Sequence, residues 1–378
     1  MSCIPLSLSV LVGATSFVAA QQDPVAVAPK KPFSIEAGKP VEPLAGETRL
    51  RNVRQLTFEG ENAEAYWSND GTRLILQRRA GEMPADQIYT LDLATGDLKL
   101  VSTGTGRTTC SYFLKGDQKI VFASTHLTGK EPPPVAKVER GRGYVWSVHR
   151  EYDLFVANPD GSDAVQLTKE AGYDAEATVC PVTGTLVFTS VRDGDLDLYT
   201  MEPDGSDVRR ITSRPGYDGG AFFSHDGSKL VLRSAFPVDD KQVKEDKELL
   251  GQAMVRPSHM EITICKRDGS DFRQVTSNGA ANFGPFWLPD DKRIIFSSNY
   301  LGMAEAKKTG DHSLARNFDL FVIGEDGTGL ERITHCPEFD GFPMFSPDGR
   351  HLVFASNRYG KQRGETNLFV AEWVEQPK

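Results

Sequence analysis

The chain has 378 residues and a net charge of −9, with Lys and Arg scattered along it. That balance argues against a nucleic-acid or anionic-membrane partner. Length alone would admit two or three domains, but one repeat runs from about residue 49 to 376, so one closed domain is expected.

Residues 4–18, IPLSLSVLVGATSFV, are apolar and lead to Val18-Ala19-Ala20. Small residues there suit signal-peptidase cleavage before Gln21. A run of about 15 residues carrying Pro5 and Gly13 is too short to span a bilayer. The expectation is a signal peptide over 1–20, a periplasmic or secreted protein, and no transmembrane segment in the mature chain. Residues 21–46, rich in Pro and Gly, read as a disordered linker. The remaining 47–378 should form the folded domain.

The repeat begins with a hairpin: an apolar run, an Asp-Gly turn and a second apolar run. It reads AYWSNDGTRLILQ at 65–77, SYFLKGDQKIVFAS at 111–124 and ATVCPVTGTLVFTS at 177–190. It returns as AFFSHDGSKLVLRS at 221–234, PFWLPDDKRIIFSS at 285–298 and FPMFSPDGRHLVFASN at 342–357. A third strand follows each hairpin (YDLFVANPDGSD, LDLYTMEPDGSD, FDLFVIGEDGTG), then a short strand ending in Thr (AVQLT, VRRIT, LERIT). Lettered a to d, these four strands make a unit of about 43 residues, and six units predict an all-β, six-bladed β-propeller of four-stranded antiparallel blades.

In order, the blades take 64–99, 108–168, 175–212, 219–276, 283–334 and 341–374. The segment 47–57, ETRLRNVRQLT, is a d strand with nothing before it, whereas the last unit stops after strand c. The N-terminal strand should therefore complete blade 6 and close the ring, removing an open edge. Insertions at 127–150, 236–258 and 300–317 all fall between strands b and c, so they share one face with the d–a connections. Long loops gathered on one face of a rigid scaffold are where binding residues collect. The first carries Arg142, Tyr144 and Trp146, an aromatic and cationic patch for a partner. The second, 238–255, reads as a short amphipathic helix, and 305–317 as a polar mobile loop.

Just before each inner strand stand Asn62, Thr108, Asp174, Asp218, Asn282 and Asp340. In register they should form a polar ring at the channel mouth, meeting a partner or holding a hard cation such as calcium. The competing reading is that each side chain caps its own turn. His126, His259 and His335 fall on the elaborated face and would serve as ligands if a transition metal were bound there. Cys110, Cys180, Cys265 and Cys336 lie in different blades with no CxxC spacing, so buried free thiols are expected. GxSxG, HExxH, the P-loop and GxGxxG are all missing.

At FSPDGRHLVFASNR (345–358), PDGSDVRRIT (203–212) and RQLTFEGENAEAYWSNDG (54–71) the chain resembles the TolB-like β-propeller family. The match covers roughly 49–376. It implies a six-bladed ring that binds an envelope protein on one propeller face, as in the Tol-Pal system. The α/β domain that precedes the family namesake's propeller is not expected here, nor is a peptidase domain after the closing strand. Lys115-Gly116-Asp117 and Pro289-Asp290-Asp291 depart from the Asp-Gly signature and read as drift at a turn. Oligogalacturonate lyases resemble the chain in repeat type and use histidines with manganese, which implies an alternative metal-dependent lyase or hydrolase acting on polysaccharide. The first reading is an exported, monomeric, non-catalytic propeller without a required cofactor, binding a protein or peptide of the cell envelope on its b–c/d–a face.

Overall fold

A computed structural model of the protein describes residues 34–135 and 145–375. Six sheets stand around a common axis. Blade 1 comprises Glu61–Trp67, Arg73–Arg79, Gln87–Asp92 and Leu98–Leu100. Blade 2 comprises Thr108–Phe113, Ile120–Ser124, Asp153–Ala157 and Val165–Gln166. Blade 3 follows with Asp174–Val179, Leu186–Ser190, Asp197–Met201 and Arg209–Arg210. Blade 4 has Asp218–Phe223, Lys229–Ala235, Met260–Lys266 and Arg273–Gln274. Blade 5 has Asn282–Trp287, Arg293–Ser298, Asp319–Gly324 and Glu331–Arg332. Blade 6 is built from Asp340–Phe345, His351–Ser356, Asn367–Trp373 and the N-terminal Leu50–Gln55.

The expected closure is present. Leu50 pairs with Trp373 and Gln55 with Phe369. The repeat's terminal Thr shows that this strand is a true d strand. In blades 2 to 5 the hydroxyls of Thr168, Thr212, Thr276 and Thr334 accept the amides of Leu154, Leu198, Ile262 and Leu320, each at 2.9 Å. Thr57 does the same for Leu368 at 2.9 Å, 311 residues away in sequence. Strands b and c are buried on both faces because each blade packs between two others, which is why they read as unbroken apolar runs.

The a–b turns explain the Ser-x-Asp-Gly signature. Ser68, Ser224 and Ser346 each donate to the Asp two residues on at 2.6 Å, and Gly71, Gly227 and Gly349 take φ near +71 to +77°. The departures from Asp-Gly in blades 2 and 5 are not drift. Asp117 accepts the amides of Asn69 and Asp70 from blade 1 at 2.8 and 2.9 Å. Asp291 accepts those of His225 and Asp226 from blade 4 at 2.9 and 3.1 Å. Each carboxylate ties neighbouring blades together.

Three local expectations change. Part of the expected linker lies against the ring: Lys39–Pro40 adds a fifth strand to blade 6, and the amides of Glu36 and Ala37 donate to Leu93 O of blade 1 at 2.9 Å. The second insertion holds a helix, α1, only over Asp240–Gly251, capped by Asp239; Met254 leaves it for a strand. The third insertion is a helix, α2 (Tyr300–Thr309), then a 3₁₀ turn (His312–Arg316), rather than a loose loop. Ala and Lys favour that helix, Gly310 ends it at φ +79°, and Gly302 admits Leu314 O so closely that a Cβ would sit 2.3 Å from it.

Candidate functional site

The channel is organised by a feature repeated in every inner strand. All six strands a shift register near their middle. The extra residue there, Glu64, Cys110, Glu176, Gly220, Gly284 or Phe342, has φ between +47 and +59°. A bulge of this kind bends the strand and re-aims one side chain. Four of the six are not glycine, so the backbone accepts roughly 1–3 kcal/mol of strain at each. These residues are half-buried while most of their strand neighbours are buried, and they line the channel near the b–c/d–a face.

Side chains of strand b serve the next bulge. Gln77 Oε1 accepts Thr109 Oγ1 at 2.8 Å, and Ser297 Oγ accepts the Phe342 amide at 3.2 Å. Glu176 is the hub of the polar half. It accepts from Tyr217 OH at 2.6 Å, Thr189 Oγ1 at 2.7 Å and the Gly220 amide at 3.0 Å, and it pairs with the Arg233 guanidinium. Gly220 takes the left-handed φ of +59° that the bulge requires, and the Arg233 guanidinium carbon lies 3.4 Å from where its Cβ would stand. Arg233 also donates to Tyr217 OH at 2.7 Å and lies 4.9 Å from the Trp146 ring centre. Below the bulges, Tyr66, Tyr112, Phe222 and Phe286 form an aromatic floor, with ring centres 5.3 Å apart for Phe222–Phe286 and 5.5 Å for Tyr66–Tyr112. The wall opposite Glu176 is aromatic as well, with Phe342 packed on Phe283 at 5.2 Å.

Glu64 differs from Glu176. Its Oε2 is buried without a hydrogen-bond partner. Burial pushes its carboxyl up to about 7, with the Cys110 thiol opposing the rise and the Glu176 charge adding to it. The Cys110 thiol is itself held well above its usual value by burial and by Glu64, so it stays neutral and poorly nucleophilic. A raised acid means that the folded state holds more protons than the unfolded chain, so stability falls as pH rises from about 4.5 to about 7. The Glu64→Gln protein should therefore be up to ~3 kcal/mol more stable than the parent at pH 8 and nearly equal at pH 5, by urea titration. Equal differences at both pH values would contradict this.

The six residues expected at the channel mouth do form a ring, one per blade, but they are buried and staple blade to blade. The amides of Asn62, Thr108, Asp174, Asp218 and Asp340 donate to Thr366, Asp86, Tyr152, Leu196 and Phe318 O of the preceding blade at 2.8–3.1 Å. Asn282 reaches Met260 O through Nδ2 at 2.8 Å. The carboxylates are matched by arginines: Asp174 by Arg192 at 3.1 Å, Asp218 by Arg214 at 2.9 Å and Asp340 by Arg358 at 3.2 Å. All six residues are at most 1% exposed.

Of the expected patch, Trp146 lies over Arg233 at the channel, whereas Arg142 and Tyr144 lie outside the described residues. The histidines stay apart. His126 packs on Phe155 in blade 2 with ring centres 4.4 Å apart; His259 Nδ1 lies 3.1 Å from Gly279 O; His335 donates its amide to Glu47 Oε1 at 3.1 Å beside blade 6. Among the described residues, no group of three or more His, Cys, Asp or Glu is placed to hold a metal ion. The four cysteines are free, three buried and Cys110 half-buried. Sequence reasoning missed the bulge residues and Arg233. The signal was the second residue after each Asn, Thr or Asp of the buried ring, which reads Glu, Cys, Glu, Gly, Gly, Phe.

Ring, closure and channel define the class: this is a six-bladed β-propeller, similar in fold to TolB-type propellers. No family profile matches the chain. A TolB homolog of Chlorobium luteolum is 28% identical in an alignment of 133 positions, covering 28% of this chain and only 30% of that protein's length. A solved structure assigned as TolB from Agrobacterium tumefaciens superposes with a TM-score of 0.52 at 18% identity, over 84% of this chain and 91% of the other. TolB of Acinetobacter baumannii gives 0.50 at 15% identity, over 73% and 55%. The two superpositions concern the fold alone. Among the described residues, no helix is long and apolar enough to cross a membrane.

Proposed function

We propose that the protein is an exported, non-catalytic propeller that works as a monomer and binds a protein or peptide of the cell envelope on its b–c/d–a face. The observation that carries this reading is the joining of two insertions across that face. Trp146–Ser147 of blade 2 pairs with Met254–Val255 of blade 4 in a two-stranded ribbon that bridges over blade 3. Val148 N donates to Ala253 O at 2.9 Å, and Arg150 donates to Gly251 O at the end of α1 at 2.7 Å. The elaboration is thus one built object with Trp146 at the channel, which unconnected surface loops would not produce. The apolar segment 4–18 supports export, and the likeness to TolB-type propellers supports an envelope setting. The channel chemistry favours binding over catalysis, since Cys110 is a neutral thiol and Glu176 is engaged by several donors.

The test is capture from envelope fractions by the full chain and by a variant with residues 130–143 replaced by a short Gly-Ser linker, which leaves the ribbon intact. A saturable partner retained by the parent and weakened about tenfold or more in the variant is expected, as for loss of a hot-spot patch. Equal retention by both would refute the role of this insertion.

A further inference from the structure

We propose that the cleft where the ring closes, between blades 6 and 1 on the b–c/d–a face, takes a short extended peptide segment whose side chains carry charges of both signs. This deepens the reading above by naming what the partner presents there, and rests on it for the source of the segment.

The insertions stand on blades 2, 4 and 5, whereas the b–c connections of blades 1 and 6, 80–86 and 357–366, are short and hold no helix. At this seam a cleft of about 500 Å³ opens between 59–61, 79–83 and 362–365. Sites that hold a small ligand run to roughly 300–1,000 Å³, so the cleft has room for a few peptide residues. Its base is fixed. Asn62 N donates to Thr366 O, and Thr366 N to Gly60 O, each at 3.0 Å, so the two blades meet backbone to backbone. Arg78 donates to Glu59 O and Oε1, each at 2.8 Å, and to Asn62 Oδ1 at 2.7 Å. The Arg78 side chain is 8% exposed and that of Glu59 76%, so a buried guanidinium holds a carboxylate out at the cleft. A group ordered before binding loses less side-chain freedom on binding. Beside it Glu61 pairs with Arg79, and both side chains reach solvent.

The lining selects the ligand. Among the described residues around the cleft none is aromatic, so a sugar ring or a base finds no stacking platform. Only Ala80 and Met83 offer apolar side chains, too little surface for an acyl chain. Glu365 is turned inward, accepting from Asn367 Nδ2 and from the Lys361 amide, each at 2.9 Å. Of the charges that remain, Glu59 and Glu61 are balanced by Arg79 and Arg363. Neither a polyanion nor a polycation gains net attraction there, whereas a segment bearing both signs is complementary to both. Gly81 and Gly364 are exposed at the lips with φ of +61° and +87°, and a Cβ on Gly81 would meet nothing within 4 Å. Backbone bare of side chains lets another backbone approach closely.

Saturation-transfer NMR on the full chain at low salt tests this with acetyl-Lys-Gly-Glu-amide and acetyl-Glu-Gly-Lys-amide. The controls are acetyl-Gln-Gly-Gln-amide, the like-charged acetyl-Lys-Gly-Lys-amide and acetyl-Glu-Gly-Glu-amide, and maltotriose. At least one of the two mixed-charge peptides should bind in the millimolar range, severalfold tighter than every control. Glu61→Gln and Arg363→Gln, each melting like the parent, should weaken it severalfold, and salt at about 0.5 M should do the same. Silence from both mixed-charge peptides, equal binding of the neutral or like-charged ones, tighter binding of maltotriose, or unchanged affinity in both variants would overturn the proposal. Peptide binding without partner capture would keep the cleft and reject the envelope partner. Partner capture that depends on residues 130–143, without peptide binding, would keep the partner and reject the cleft.

Discussion

A chain ending at Gly364 will be recovered as insoluble or aggregated protein and will show no cooperative melt by circular dichroism. The lost strand, Asn367–Trp373, is hydrogen-bonded on one side to His351–Ser356 and on the other to Leu50–Gln55. Leu368, Phe369, Val370 and Ala371 are at most 1% exposed. The larger three of these side chains each contribute roughly 1.5–3 kcal/mol by burial, and the strand edges bared on both sides add to the loss. A domain has only about 5–15 kcal/mol in total, so this one deletion consumes most of it. The N-terminal strand would lose its only sheet partner apart from Lys39–Pro40, and strand b of blade 6 would become an exposed apolar edge. A soluble truncate with a sharp transition would mean that blades 1 to 5 fold without closure, and the account of the ring given above would fail.

The fold could be read because its signals are local and repeated: a Ser-x-Asp-Gly turn, an apolar strand and a Thr that caps it, each recurring at a fixed offset. Closure could be read because a lone d strand at one end matched a missing one at the other. The site could not be read in the same way. In a regular strand Asn62 and Glu64 would share a face, and hydrophobic alternation carries no mark of the bulge that separates them. Asp174 and Asp340 looked like channel-mouth residues because their partners, Arg192 and Arg358, stand 18 positions later on loops with no pattern of their own. The Pro and Gly content of 34–46 suggests a free linker, yet Gly38 and Gly46 are there because the segment runs against the ring. A Cβ on Gly38 would lie 2.2 Å from Gln55 O, and one on Gly46 would lie 3.1 Å from the His335 ring. Composition reports that such a segment bends; it does not report what it bends around.

The same segment carries the second large effect. Glu47 sends both carboxylate oxygens to Arg358, at 2.8 and 3.0 Å, and Arg358 also meets Asp340 at 3.2 Å and Ser356 Oγ at 2.9 Å. All three charged side chains are 0–2% exposed. The guanidinium lies 5.0 and 5.4 Å from the ring centres of Phe354 and Phe369. Replacing Arg358 by Ala leaves two carboxylates buried together, and removing one member of such a group costs about 3–5 kcal/mol. Arg358→Lys should recover little of it, since a point charge cannot reproduce the fork to Glu47. Burial already holds the Asp340 carboxyl above its usual range despite Arg358, and without the cation it should rise further. An acid raised in the folded state contributes stability that is fully present below its unfolded value and is lost as pH rises through the folded one. The deficit of Arg358→Ala against the parent should therefore be largest at pH 7.5 and shrink toward pH 5, where a proton on Asp340 takes the place of the missing cation. Urea titrations at the two pH values measure this. Limited proteolysis should also show the 34–48 segment cut faster in the variant, because Glu47 holds that segment to blade 6 through Arg358. A deficit below about 1 kcal/mol, within the range of an exposed pair, or one that grows on acidification, would place the stability of the closure in the strand pairing alone and not in the buried charges.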